Sequence, residues 1–155
     1  MMVRNNRRLI LCSILVVFTL CVIWGNSLLQ GETSGSISGS FSAWIGKFIP
    51  FLSPDSPNGH YFVRKCAHFS VFFLLGLELC WLMGMLRKHK VAICALFLCA
   101  AVATIDESIQ RFVPDRHGCI ADVLLDCSGA AAGIALLLLG YTLLQRKKLK
   151  KERSL

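Results

Sequence analysis

The eight cysteines of this sequence include no Cys-x-x-Cys pair, so their spacing encodes neither a zinc knuckle nor a dithiol redox centre. No segment interleaves basic residues with aromatics, which argues against nucleic acid as a partner despite a net charge of +8. No compact ligand motif marks a metal site, no cofactor is expected, and no side chain stands out as a nucleophile.

Apolar sequence is what the chain has in quantity. Hydrophobic residues fill 55% of its 155 positions and mean hydropathy is +0.60, with the apolar residues gathered in long unbroken blocks. A soluble core of this size does not need such blocks. A bilayer does, because its hydrocarbon layer is about 30 Å thick and takes roughly 20 apolar helical residues to cross.

Four blocks are long enough: about 9–29, 63–86, 91–110 and 120–144. The first follows Arg4, Arg7 and Arg8 and reads as a signal anchor. Gly25 and Ser27 also offer a small-x-small cleavage pattern, but the run is long for a cleaved signal peptide. Most cysteines lie inside the blocks and read as small apolar packers. Cys66, Cys119 and Cys127 fall near one membrane face, where a bridge stays open as an alternative.

Between the first two blocks, the Ser/Gly-rich stretch 31–40 reads as a flexible polar loop. Phe41, Trp44, Ile45, Phe48, Ile49 and Leu52 then recur at helical spacing over too short a stretch to span, which predicts an amphipathic helix lying in the interface. Pro50, Pro54 and Pro57 close it. Arg87-Lys88-His89-Lys90 leaves room only for a tight turn between antiparallel helices. The expected architecture is an all-α membrane protein, a single domain over 1–155. It is a four-helix transmembrane bundle with a short interfacial helix in an outer loop at 31–60 and a basic tail at 145–155.

The N-terminal segment, the second connection and the tail from Arg146 to Arg153 together carry 12 of the 17 basic residues. The positive-inside rule assigns all three to the cytoplasm, so both termini are expected inside and the first and third connections outside.

That topology brings the polar residues together. At about 1.5 Å of rise per residue, His68 lies roughly 7 Å in from the outer end of the second span. Asp106 and Glu107 lie at a similar depth on the third, and Asp122 and Asp126 occupy the first two turns of the fourth. Ionisable groups at membrane depth are costly and usually turn toward one another or a cavity. The same carboxylates would also suit pairing with nearby arginines or capping of helix ends, Asp122 in particular.

Asp122, Asp126, Gly129 and Gly133 follow 4, 3, 4 spacing and form one stripe, whose glycines allow a neighbouring backbone to approach closely. Gln110 stands one turn from Asp106 and Glu107. Arg116, after Pro114 in the third connection, offers a planar guanidinium suited to phosphate or carboxylate. Pairing with Asp115 or Glu107 is the alternative. Glu78 stands apart, about 80° around the helix from His68, and is expected to snorkel toward an inner lysine.

Four stretches together resemble the VanZ family of bacterial membrane proteins. They are Asn26-Ser27-Leu28-Leu29-Gln30-Gly31-Glu32 with Ser34 and Ser38; Lys65-x-x-His68-Phe69; Glu107-x-x-Gln110; and Pro114-x-Arg116 with Asp122, followed by Gly129 and Gly133. Asp126 stands where the family usually has Asn, and Asp115 where it usually has Gly. The resemblance implies the bacterial plasma membrane, a cell-envelope role and an association with teicoplanin resistance.

Three functions follow as expectations. In the first, Lys65, His68, Asp106, Glu107, Gln110, Arg116, Asp122 and Asp126 form a binding site for a lipid-linked or peptidoglycan-related ligand at the outer leaflet, influencing glycopeptide susceptibility. The second is an intramembrane enzyme on an envelope lipid precursor. There His68 and Glu107 share acid-base work and Arg116 steadies a phosphate oxygen, or His68 with Glu107, Asp122 or Asp126 holds a divalent metal. The third is a passive structural subunit. The lack of a nucleophile favours the first.

Overall fold

The computed structural model describes residues 2–29, 31–53, 55–56, 58–86, 90–116 and 118–153, with side chains described for all of these except 2–5, 31, 32, 34, 37, 60 and 153. Gln30, Pro54, Pro57 and the Arg87-Lys88-His89 turn therefore lie outside the described residues, as do the side chains of Arg4, Glu32 and Ser34.

Every described element is helical: α1 (Met2–Leu28), α2 (Gly31–Gly46), a 3-10 turn (Pro50–Leu52), α3 (Gly59–Met85), α4 (Val91–Gln110) and α5 (Ile120–Arg153). Four of them, α1, α3, α4 and α5, are long and apolar enough to cross a membrane, and this is a multi-pass membrane protein. α4 coincides with its expected block, α1 and α3 begin earlier than expected, at Met2 and Gly59, and α5 continues through the basic segment to Arg153. Because the spans run alternately up and down, the end of α1, the start of α3, the end of α4 and the start of α5 share one end of the bundle. We call this the polar end, and the other, carrying Arg7, Arg8, Lys90 and Lys147, the basic end.

Only 22–28% of each span's most apolar window is buried in protein, so the rest of that surface, including Ile14, Phe18, Phe97 and Leu139, is left for lipid. In lipid the hydrophobic effect gives helices little reason to associate, and close packing and interhelical hydrogen bonds take its place. The most extensive contact, α3 with α5, is built on that principle. A Cβ at Gly129 would strike the carbonyl of Phe69, one at Gly133 the carbonyl of Phe73, and one at Gly76 the backbone of Ala130. The seam expected from Gly129 and Gly133 is thus present, and Gly76 answers it from the facing helix.

α1 packs against α3 through polar contacts. Thr19 Oγ1 donates to Glu78 Oε1 over 3.2 Å, and the Cys12 thiol reaches the Glu78 carbonyl at 3.6 Å. This corrects the expectation for Glu78, which takes its partner from the first helix and makes no ion pair among the described residues. All eight cysteines are free, Cys66, Cys119 and Cys127 included.

The amphipathic element between the first two spans is present, but it begins earlier than its apolar residues suggested and ends at Gly46, leaving Phe48, Ile49 and Leu52 in the turns that follow. Residues 31–40, expected as a loop, form the first turns of α2. Ser and Gly have poor helix propensity, which tertiary contact routinely overrides. Here Ser40 Oγ bonds back to the Ser36 carbonyl over 3.0 Å, and the buried Ser42 hydroxyl donates to the carbonyl of Leu52, folding the 3-10 turn against the helix. Phe41 and Trp44 stack at 6.0 Å and Trp44 meets Phe48 edge-on at 5.7 Å, while all three stay exposed. An aromatic ledge of this kind beside membrane spans suits the headgroup boundary.

Candidate functional site

One face of α4 explains how acids come to lie in the protein interior. Ala95, Cys99 and Ala103 are fully buried and recur every four residues, and the same stripe continues through Asp106 to Gln110, both 1% exposed. Small side chains let α4 sit close to its neighbours, so the acids one turn further on have no route to lipid. On α3, His68 heads a stripe that continues through Phe72, Leu75 and Leu79, all buried. On α5, Asp122 and Asp126 are buried above the glycine seam. The close approach that Gly129 allows is what carries Asp126 up against α3.

The contacts divide the expected site residues into pairs and a cluster. Lys65 on α3 is ion-paired with Asp122 in the first turn of α5, where the helix N-terminus also favours a carboxylate. Asp106 Oδ1 accepts from Ser27 Oγ at 2.5 Å, and its Oδ2 accepts from Gln110 Nε2 at 2.9 Å. Gln110 Nε2 also lies 3.2 Å from Ser27 Oγ and 3.4 Å from Glu107 Oε1. Glu107 Oε2 accepts the backbone N–H of Cys119 at 2.8 Å, which ties the end of α4 to the start of α5. Gly118 permits this, because a Cβ there would strike the Glu107 carbonyl.

His68 Nδ1 stands 3.5 Å from Asp126 Oδ1, too far for a well-formed hydrogen bond. Both carboxylate oxygens of Asp126, a residue with no exposed surface, lack a hydrogen-bond partner among the described residues. His68, Asp106, Glu107 and Asp126 each present a donor atom within 4.8 Å of the others.

Arg116 takes neither of the partners considered for it. Its Nη2 donates to the Asn26 carbonyl at 2.8 Å, at the C-terminal end of α1 where orphan carbonyls collect. Burial pulls this guanidinium below its usual pKa and Arg64 adds to that, while Asp106 and Glu107 oppose it. Arginine stays charged through such shifts, so Arg116 clamps α1 to the α4–α5 connection as a cation. Asp115 beside it has φ 59°, in the left-handed region where a side chain is strained and glycine is not.

Two half-open cavities meet at His68. One, of about 70 Å³, runs between α1, α3 and α4 and reaches Asp106. The other, of about 230 Å³, lies under α2, walled by Ser38, Phe41, Val63 and Arg64. Asn26, Ala67 and His68 line both. Ser27, Asn26 and Arg64 were not among the expected site residues. Ser27 and Asn26 had a signal, their place in the motif at the end of the first span, and Arg64 had one in its place beside Lys65, flanking the acids.

A family model described as VanZ/LLP1 matches residues 7–143. No curated protein and no solved structure matches the chain.

Proposed function

This chain belongs to the VanZ/LLP1 family of membrane proteins, and on that premise we propose that it binds the anionic head of a lipid-linked envelope precursor at the outer leaflet of the bacterial plasma membrane, thereby influencing glycopeptide (teicoplanin) susceptibility. The observation that carries the reading is the 230 Å³ cavity under α2, which sets a cation, Arg64, among apolar side chains and has His68 at its inner limit. A phosphate bearing an isoprenoid chain has the same two-part character, with a charged oxygen cluster for guanidinium and a tail for the lipid-facing surface.

The arrangement of cations narrows the choice of anchor. Lys65 is held by Asp122 and Arg116 by the Asn26 carbonyl, whereas Arg64 makes no ion pair among the described residues. Arg64 is therefore the cation presented to a ligand, beside Asn26, Ser38 and His68 in the same cavity wall. The positive-inside rule supports the outward orientation in this proposal, since Arg7, Arg8, Lys90 and the basic end of α5 all lie at the end opposite the polar one.

The test is photocrosslinking of the purified full-length protein with a photoreactive polyprenyl phosphate in detergent. Labelling should map to α2 and the first turns of α3, and Arg64→Ala should reduce it at least fivefold. A photoreactive phosphatidylglycerol serves as the control for general anionic lipid. Labelling by the two probes to the same extent, or labelling that ignores Arg64, would remove the reading.

A further inference from the structure

We propose that His68, Asp106, Glu107 and Asp126 together hold a divalent transition-metal ion, manganese or zinc, at the inner end of the cavity. The site lies beside the binding cavity but does not depend on what binds there.

The first ground is geometric. One donor atom from each of the four residues lies within 4.8 Å of all the others, and the four come from three different helices. Around an ion with bonds of about 2.0–2.2 Å, neighbouring donors stand about 3–3.5 Å apart and opposite ones about 4.4 Å. The 3.5 Å between His68 Nδ1 and Asp126 Oδ1 is long for a direct hydrogen bond and right for two donors sharing an ion. Small inward movements of the wider pairs would close the shell.

The second ground is independent of the clustering. Asp126 has no exposed surface, and neither of its oxygens has a hydrogen-bond partner among the described residues, although one of them lies within 4.8 Å of a donor atom on each of the other three residues. A buried carboxylate without donors is among the least tolerated arrangements in a protein. No lysine or arginine forms an ion pair with Asp106, Glu107 or Asp126 among the described residues, since Lys65 is taken by Asp122. A doubly charged ion would supply both the missing partner and the missing charge.

The surrounding bonds are of the kind that orient metal ligands. Asp106 is held by Ser27 and Gln110, and Glu107 by the Cys119 N–H. Each carboxylate oxygen so engaged keeps a second lone pair for coordination. One imidazole nitrogen with three carboxylates suits ions of intermediate hardness. Calcium prefers oxygen throughout, and soft ions such as copper(I) prefer thiolate or thioether sulfur, which this donor set lacks. Because His68 and Asp106 also line the smaller cavity, an ion held here would face it and could meet a phosphate oxygen.

The experiment uses the full-length protein in detergent, stripped with chelator and then titrated separately with Mn²⁺ and Zn²⁺ without any lipid ligand. Uptake is read by elemental analysis, and bound Mn²⁺ also by electron paramagnetic resonance. The expected result is about one equivalent of at least one ion, with nitrogen modulation in the echo spectrum of bound Mn²⁺ from His68. Asp126→Asn, nearly isosteric, and Glu107→Gln should each weaken uptake tenfold or more while elution volume and helical circular dichroism stay unchanged. If a variant does not fold, the nitrogen signal of the unaltered protein still decides for Mn²⁺, and its absence counts against the site. Uptake of neither ion, or uptake unchanged in both folded variants, overturns the proposal, whatever the crosslinking experiment shows.

Discussion

Ser27 in the last turn of α1 donates a 2.5 Å hydrogen bond to Asp106 of α4, joining positions 79 residues apart in the polar end of the bundle. Both residues are buried. Ser27→Ala should cost about 1–2 kcal/mol, the penalty for leaving a buried acceptor short of its donor. Unfolding of the purified protein in mixed micelles, followed by circular dichroism, measures this. A change below a few tenths of a kcal/mol would show that Asp106 is satisfied without α1.

The glycine seam makes a sharper test because it supplies its own control. Gly133→Ala sets a methyl group against the Phe73 carbonyl and should destabilise the bundle by about 1–3 kcal/mol. Gly140, on the same helix, has nothing within 4 Å of an added Cβ, so Gly140→Ala should be neutral or stabilising by up to about 1 kcal/mol. Equal effects at both positions would mean that α3 and α5 are not packed closely at the seam.

Asp115 is strained by its backbone alone. With φ 59° in the third connection, Asp115→Gly should stabilise the protein by about 1 kcal/mol, and a β-branched Asp115→Val should destabilise it by more than that. The same unfolding assay reads both. The family's usual glycine here has a physical reason in that φ value.

Lys65 and Asp122 are worth less singly than together. Lys65→Met leaves a buried carboxylate behind and should cost about 3 kcal/mol, whereas adding Asp122→Asn should restore much of the loss. A double-mutant cycle with no coupling would show the two to be independently solvated.

Membrane orientation is open to cysteine labelling in a background freed of the native cysteines. Phe112, 89% exposed in the third connection, and the exposed Lys148 near the end of α5 report on opposite ends of the bundle. On intact cells an impermeant maleimide should label Phe112→Cys and spare Lys148→Cys. The reverse pattern would place the cavity inside the cell and end the outer-leaflet reading.

The family and the four spans were legible in the residues, as was the gathering of acids at one end, because each rests on a local property. Hydropathy over 20 residues decides whether a helix can enter lipid, and the 4, 3, 4 spacing of Asp122, Asp126, Gly129 and Gly133 decides which residues share a face. Those rules place residues by depth and by side of their own helix. They say nothing of how one helix is rotated against another.

Partner choice belonged to the tertiary structure for that reason. Lys65, Arg64 and Arg116 all lie at the polar end, and only the rotation of α3 against α5 gives Asp122 to Lys65 and leaves Arg64 to the cavity. Arg116 had acidic neighbours in sequence, yet the packed connection turns it to the Asn26 carbonyl. Propensity misread residues 31–40 because the contacts that hold α2, such as Ser42 with Leu52, form only when the turn folds back. Depth and face are properties of one segment at a time, whereas pairing is fixed by how closely two helices approach, and at this site the approach of α3 to α5 is set by Gly76, Gly129 and Gly133.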